Sequence, residues 1–156
     1  MYAWFVFAHL VGLLLFVGAH GFSMITSFRL RTERKVENVI AALALSRTST
    51  NVAGIGFILM AIGGIAAASS GGLWSKAWVG GSVLVLVLVT AAMFLIGSRY
   101  YYPVRDRLSG KDGAVPEPIT EEELAGLLDS RVPDILAAVG GLGLLVLVWL
   151  MVLKPG

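Results

Sequence analysis

Four long apolar segments restrict this chain to one kind of fold. They run from about Tyr2 to Phe28, about Asn51 to Ser69, about Ala77 to Ser98 and about Val132 to Leu153. A helix needs roughly 20 apolar residues to cross the ~30 Å hydrocarbon core of a bilayer. Lipid offers no partner to a free backbone N–H or C=O, so such segments cross as helices. Composition agrees: 57% of the residues are apolar and 14% charged, against about 45–50% and about 25% in soluble domains. The expected fold is therefore an all-α membrane protein. Its four transmembrane helices form an up-down bundle, and residues 1–156 make one domain.

Loop charge sets the expected orientation. Arg29, Arg31, Arg34, Lys35 and Arg47 lie between the first and second segments, and Arg99, Arg105, Arg107, Lys111 and Arg131 between the third and fourth. Only Lys76 and Lys154 fall on the other side. The positive-inside rule then puts loops 29–50 and 99–131 in the cytoplasm and both termini outside. Trp4, Trp74, Trp78 and Trp149 fall at the outer interface, and Tyr100, Tyr101 and Tyr102 at the inner one, as aromatic belts do. Met1-Tyr2-Ala3-Trp4 lacks the basic start of a signal peptide, so the first segment reads as a retained span.

Several functions are excluded. The chain has no cysteine, which removes disulfides, thiolate metal sites and a cysteine nucleophile. Its net charge of +2 comes from topology and not from a nucleic-acid patch, so the expected surroundings are the lipid bilayer and other membrane subunits, or a second copy in a homodimer. The one acid within a span is Asp134, in the first turn of the fourth, so ion-coupled pumping lacks a carboxylate deep in the membrane.

The loops hold their own helical signals. Val36, Val39, Ile40, Leu43 and Ala44 recur at helical spacing, as in an interfacial helix or an extension of the second span. Gly110 to Pro118 reads as flexible. Thr120 and Glu123 fit a capping box, with Glu121 and Glu122 in the same first turn. Leu124, Leu127 and Leu128 give that short helix an apolar edge. Pro133 suits the first turn of the last span. In the second span Gly54, Gly56, Gly63 and Gly64 leave one side small, as do Ala137 and Gly141 in the fourth, which favours close helix packing.

The candidate chemistry lies in the first span. His9 and His20 are the only histidines. Eleven residues make three helical turns, so both rings leave one face, roughly 16 Å apart along the axis. Tyr2, Ser23 and Ser27 share that face, which should turn into the bundle or toward another protein. The plain role for each histidine is a hydrogen bond to a neighbouring helix. A second role is axial ligation of haem b, through a parallel dimer that pairs His9 with His9 and His20 with His20, or through a methionine such as Met60 or Met93. A third is copper, because His20 and Met24 are one turn apart and pair imidazole with thioether.

The run His9-Leu-Val-Gly-Leu-Leu-Leu-Phe16-Val-Gly18, followed by Ser27-Phe28-Arg29-Leu30-Arg31, resembles the first helix of small four-helix bacterial membrane proteins. These are related to the CopD-like copper-resistance family and the HemJ-like protoporphyrinogen oxidases. The likeness covers about 25 residues. It implies a bacterial inner membrane and a haem or metal ligand at His9. The chain departs from the pattern at Phe16, where those proteins carry tryptophan.

Three functions are thus expected, in this order. The first is a non-catalytic subunit of a larger membrane complex, respiratory or photosynthetic. The second is a b-type haem electron carrier using His9 and His20. The third is a copper or small-solute permease.

Overall fold

The computed structural model of the chain describes residues 1–109 and 118–155. Five helices follow one another: α1 (Tyr2–Leu30), α2 (Val36–Ser70), α3 (Ala77–Ser109), α4 (Glu121–Leu128) and α5 (Val132–Leu153). One 3-10 turn, Leu73–Ser75, joins α2 to α3. Helices α1, α2, α3 and α5 are long and apolar enough to cross a membrane, which makes this a multi-pass membrane protein. The expected Gly110–Pro118 segment lies outside the described residues except for Pro118.

The spans associate as two antiparallel pairs, α1 with α2 and α3 with α5. In the first pair Gly12 faces Met60, Phe16 faces Gly56 and His9 faces Gly63. Apolar burial gives helices no reason to associate within lipid, so close packing has to do it. Glycine makes this possible. A Cβ on Gly56 would lie 2.6 Å from the Phe16 backbone nitrogen, and one on Gly63 would lie 2.6 Å from that of His9. Gly56, Met60, Gly63 and Ala67 are the buried rail of α2, spaced at one helical turn. Gly54, also expected on a packing side, instead has open space around it. In the second pair a Cβ on Gly143 would lie 2.9 Å from a Val89 methyl.

At the basic end the fold uses a different force. Helices α2 and α3 have 35 and 33 residues, or ~50 Å each at 1.5 Å per residue. They therefore extend well past a ~30 Å hydrocarbon layer. Residues 36–46 thus continue the second span as one helix and do not form a separate interfacial one. Helix α3 also runs on through Pro103, further than the 77–98 segment suggests. Proline removes one i→i−4 hydrogen bond, and burial of Val104 and Leu108 offsets that loss. These two side chains join Leu30, Val39, Leu43, Leu124 and Leu128 in one buried cluster. Burying leucine is favourable there because the alternative is water, at roughly 1.5–3 kcal/mol per large apolar side chain.

Polar contacts hold the same end together. Thr120 caps α4, its hydroxyl accepting from the Glu123 N–H at 3.2 Å. The Glu123 carboxylate in turn accepts from Arg107 at 2.9 Å. Arg31, just past α1, donates to both Asp134 oxygens, at 3.1 and 2.6 Å, and to the Ser130 carbonyl. Asp134 sits in the first turn of α5, where a carboxylate also suits the helix dipole. This fork ties the α1/α2 pair to the α3/α5 pair, and the Asp134 hydrogen bond raises the Arg31 guanidinium further above its high ordinary range.

Glu33 organises the turn between α1 and α2. Its carboxylate accepts from the backbone N–H groups of Arg34 and Lys35, both at 2.9 Å, and from Asn38 at 3.0 Å. The Lys35 and Arg34 bonds hold its carboxyl below the usual carboxylate range. A group depressed in this way stabilises the fold fully above its ordinary pKa and loses that effect as pH falls through the lower folded value. Amide exchange at Arg34 and Lys35 should therefore stay slow through the ordinary carboxylate range and quicken only below it. Quickening already at neutral pH would contradict this account of the turn.

Candidate functional site

The shared face of α1 turns inward, as its polar residues require. The opposite face, with Phe7, Leu14, Gly18 and Ile25, is exposed. On the inner face the residues meet different neighbours, because α2 lies along one flank of α1 and the α3/α5 pair along the other.

His9 belongs to the α1/α2 contact. Its Nδ1 lies 2.7 Å from the Met60 carbonyl. A carbonyl only accepts, so Nδ1 donates here, and in the neutral ring Nε2 keeps its lone pair. Gly64 admits the ring: a Cβ there would stand 2.9 Å from Nδ1. The paired glycines therefore have separate tasks, Gly63 for backbone approach and Gly64 for the imidazole. Tyr2 continues the same contact, with its ring 3.0 Å from the position of a Gly71 Cβ.

His20 looks the other way. Its ring stacks on Phe16, with centroids 5.7 Å apart and planes 10° apart. A Cβ on Gly140 of α5 would stand 3.4 Å from His20 Nε2 and 3.2 Å from Met93 Sδ. Three helices thus converge: α1 brings an imidazole nitrogen, α3 a thioether sulfur, and α5 a residue with no side chain. Of the three methionines expected as partners for a histidine, Met93 is beside His20. Met60 meets His9 through its backbone carbonyl. Met24 is half-buried one turn beyond His20.

Below His20 the polar face continues in hydrogen bonds. Ser23 and Ser46 hydroxyls are 2.8 Å apart, and Tyr101 donates to Ser27 at 2.6 Å. Ser27 donates to the Ser23 carbonyl at 2.8 Å. These bonds link α1 to α2 on one side and to α3 on the other. Tyr101 was expected only as an interfacial anchor, and no single-helix pattern could have matched it to Ser27.

A methyl group on Gly140 would already meet both side chains, 3.2 Å from Met93 Sδ and 3.4 Å from His20 Nε2. Among the described residues no three His, Asp or Glu side chains cluster as a metal site.

A second feature lies on the outside of the α1/α2 pair. Leu14, Gly18, Ala19 and Phe22 of α1, with Thr48, Ser49 and Val52 of α2, line an open groove of about 320 Å³. Its wall is apolar, with two hydroxyls toward the basic end. A Cβ on Gly18 would meet nothing within 4 Å.

No protein-family model, curated protein or solved structure matches the chain.

Proposed function

We propose that this chain is a non-catalytic integral membrane subunit of a larger complex, respiratory or photosynthetic in kind. The basic end would face the cytoplasm and both termini the outside, in a bacterial inner membrane. The loop charges support that orientation, and the first-helix likeness to CopD-like and HemJ-like proteins supports the bacterial setting. The observation that carries the subunit reading is the open groove on the α1/α2 pair. Its floor is small at Gly18 and Ala19, and small residues let a neighbouring helix approach closely in lipid. Gly12, Gly56 and Gly63 already serve the chain's own packing, whereas a Cβ on Gly18 would meet nothing within 4 Å among the described residues.

Gly18→Phe tests this reading. A Cβ on Gly18 meets nothing within 4 Å, so the open groove has room for the new ring, and the thermal midpoint of the purified protein should stay within a few degrees of the parent. Co-purification of stoichiometric partner subunits from native membranes should be lost. Retention of the intact complex by Gly18→Phe would count against the groove as the contact surface.

A second reading is favoured by the protonation of His9. With Nδ1–H held by the Met60 carbonyl, Nε2 has the form an axial haem ligand needs, and a haem b held between two copies at His9 would use it. That reading requires sharp α and Soret bands in a reduced-minus-oxidised spectrum, lost in His9→Ala. The subunit reading requires a flat spectrum.

A further inference from the structure

We propose that His20 Nε2 and Met93 Sδ bind one monovalent copper ion over Gly140, at the junction of the two helix pairs. This inference is independent of the subunit reading. It also makes no use of the first-helix likeness, whose histidine is His9.

Three observations carry it. The first is convergence. Both donor atoms lie within 3.4 Å of the point where a Gly140 Cβ would stand, yet they come from α1 and α3, 73 residues apart in sequence. The second is the set of the imidazole. Stacking on Phe16, nearly parallel at 10°, fixes the ring with Nε2 toward α5, so this donor is positioned before any ion arrives. Met93 supplies the adjustable partner, since a methionine side chain has three rotatable bonds and a polarizable sulfur. The third is the missing side chain. Any residue but glycine at position 140 would occupy the space an ion needs.

The donor chemistry selects the metal. The thioether is a soft ligand that selects copper(I) and imidazole also suits copper, whereas carboxylate and carbonyl ligands suit magnesium, calcium and manganese. Both donors are neutral, so the ion keeps its whole charge inside an apolar layer. Burying uncompensated charge there is costly and grows with its size, which favours a monovalent over a divalent ion. A low coordination number also agrees with copper(I) and not with zinc, which takes four ligands in structural sites. His20 Nε2 must be unprotonated to bind, so Nδ1 carries the proton in the loaded form.

The test is an anaerobic titration of the purified, metal-free protein with copper(I) against a chromophoric copper(I) chelator. The parent should withhold one equivalent, and X-ray absorption should report nitrogen and sulfur ligands in that complex. Met93→Leu keeps volume and removes sulfur, and His20→Phe removes nitrogen. Each should weaken binding by at least roughly tenfold to a hundredfold. Met151→Leu, in α5 away from the site, should bind as the parent does. Gly140→Ala gives an arm that does not depend on removing a ligand. Its methyl meets only the ends of two side chains, so the apo protein should keep its thermal midpoint while copper binding falls. The proposal is overturned by any of three results. These are no copper withheld by the parent, equal loss in Met93→Leu and Met151→Leu, or full binding in Gly140→Ala. A Soret band at one haem per chain that disappears in Met93→Leu would overturn it as well.

Discussion

Replacing Gly12 by valine should separate α1 from α2 and leave a protein that no longer folds as one bundle. A Cβ at Gly12 would lie 2.7 Å from the Met60 Cα and 2.8 Å from the Gly56 carbonyl oxygen. Both are backbone atoms and neither can change rotamer to make room. Overpacking commonly costs about 1–3 kcal/mol, and more where the surroundings cannot yield. Here the helices must move apart, and their separation also breaks the His9–Met60 hydrogen bond. We expect a loss of about 3 kcal/mol or more, which for a chain of this size lowers a thermal midpoint by roughly 6 °C or more. Gly18→Ala is the matched control on the same helix. Its Cβ meets nothing, and alanine favours a helix by up to about 1 kcal/mol over glycine, so its midpoint should hold or rise slightly. Equal destabilisation by the two changes would mean that the glycine contact is not what joins α1 to α2.

The second large effect is expected at the opposite kind of interface. Leu124 is fully buried, at 0% exposure, between the end of α1, the start of α2 and the end of α3. Leu124→Ala removes three carbons from a packed cluster and leaves a cavity, a change that costs about 2–5 kcal/mol. Helix α4 has only eight residues, too few to stand alone in water, so it depends on Leu124 and Leu128 for its position. The variant should release α4 while the four spans persist. Limited proteolysis should then cut near α4 much faster than in the parent, with the helical circular dichroism nearly unchanged. Cleavage at the parent rate would show that the cluster does not hold α4.

Much of this fold was legible in the sequence, because lipid imposes helices on any long apolar run. The start of α4 was legible from Thr120 and Glu123, and the start of α5 from Pro133. Glu123 illustrates the limit. The capping box correctly marks the Thr120 hydroxyl as acceptor for the Glu123 N–H, but Arg107 from α3 takes the carboxylate. The end of α3 was hidden for a similar reason. Pro103 and the tyrosines before it read locally as a helix exit, and the burial of Val104 and Leu108 that carries the helix onward involves residues far along the chain. At the candidate site, periodicity found that His9 and His20 share a face of α1. It could not find that α2 meets one and α3/α5 the other. Met93 and Gly140 reach His20 through tertiary packing alone, and no spacing within a single span encodes that meeting.

The proposed membership of a larger membrane assembly is tested by the mass of the native particle extracted from membranes in mild detergent, together with cross-linking mass spectrometry. The particle should be far heavier than one 16.5 kDa chain or two. That particle should contain other membrane subunits in fixed ratio, with cross-links from the partner to the α1/α2 face around Gly18. A particle that contains this chain alone, as monomer or homodimer, would contradict it.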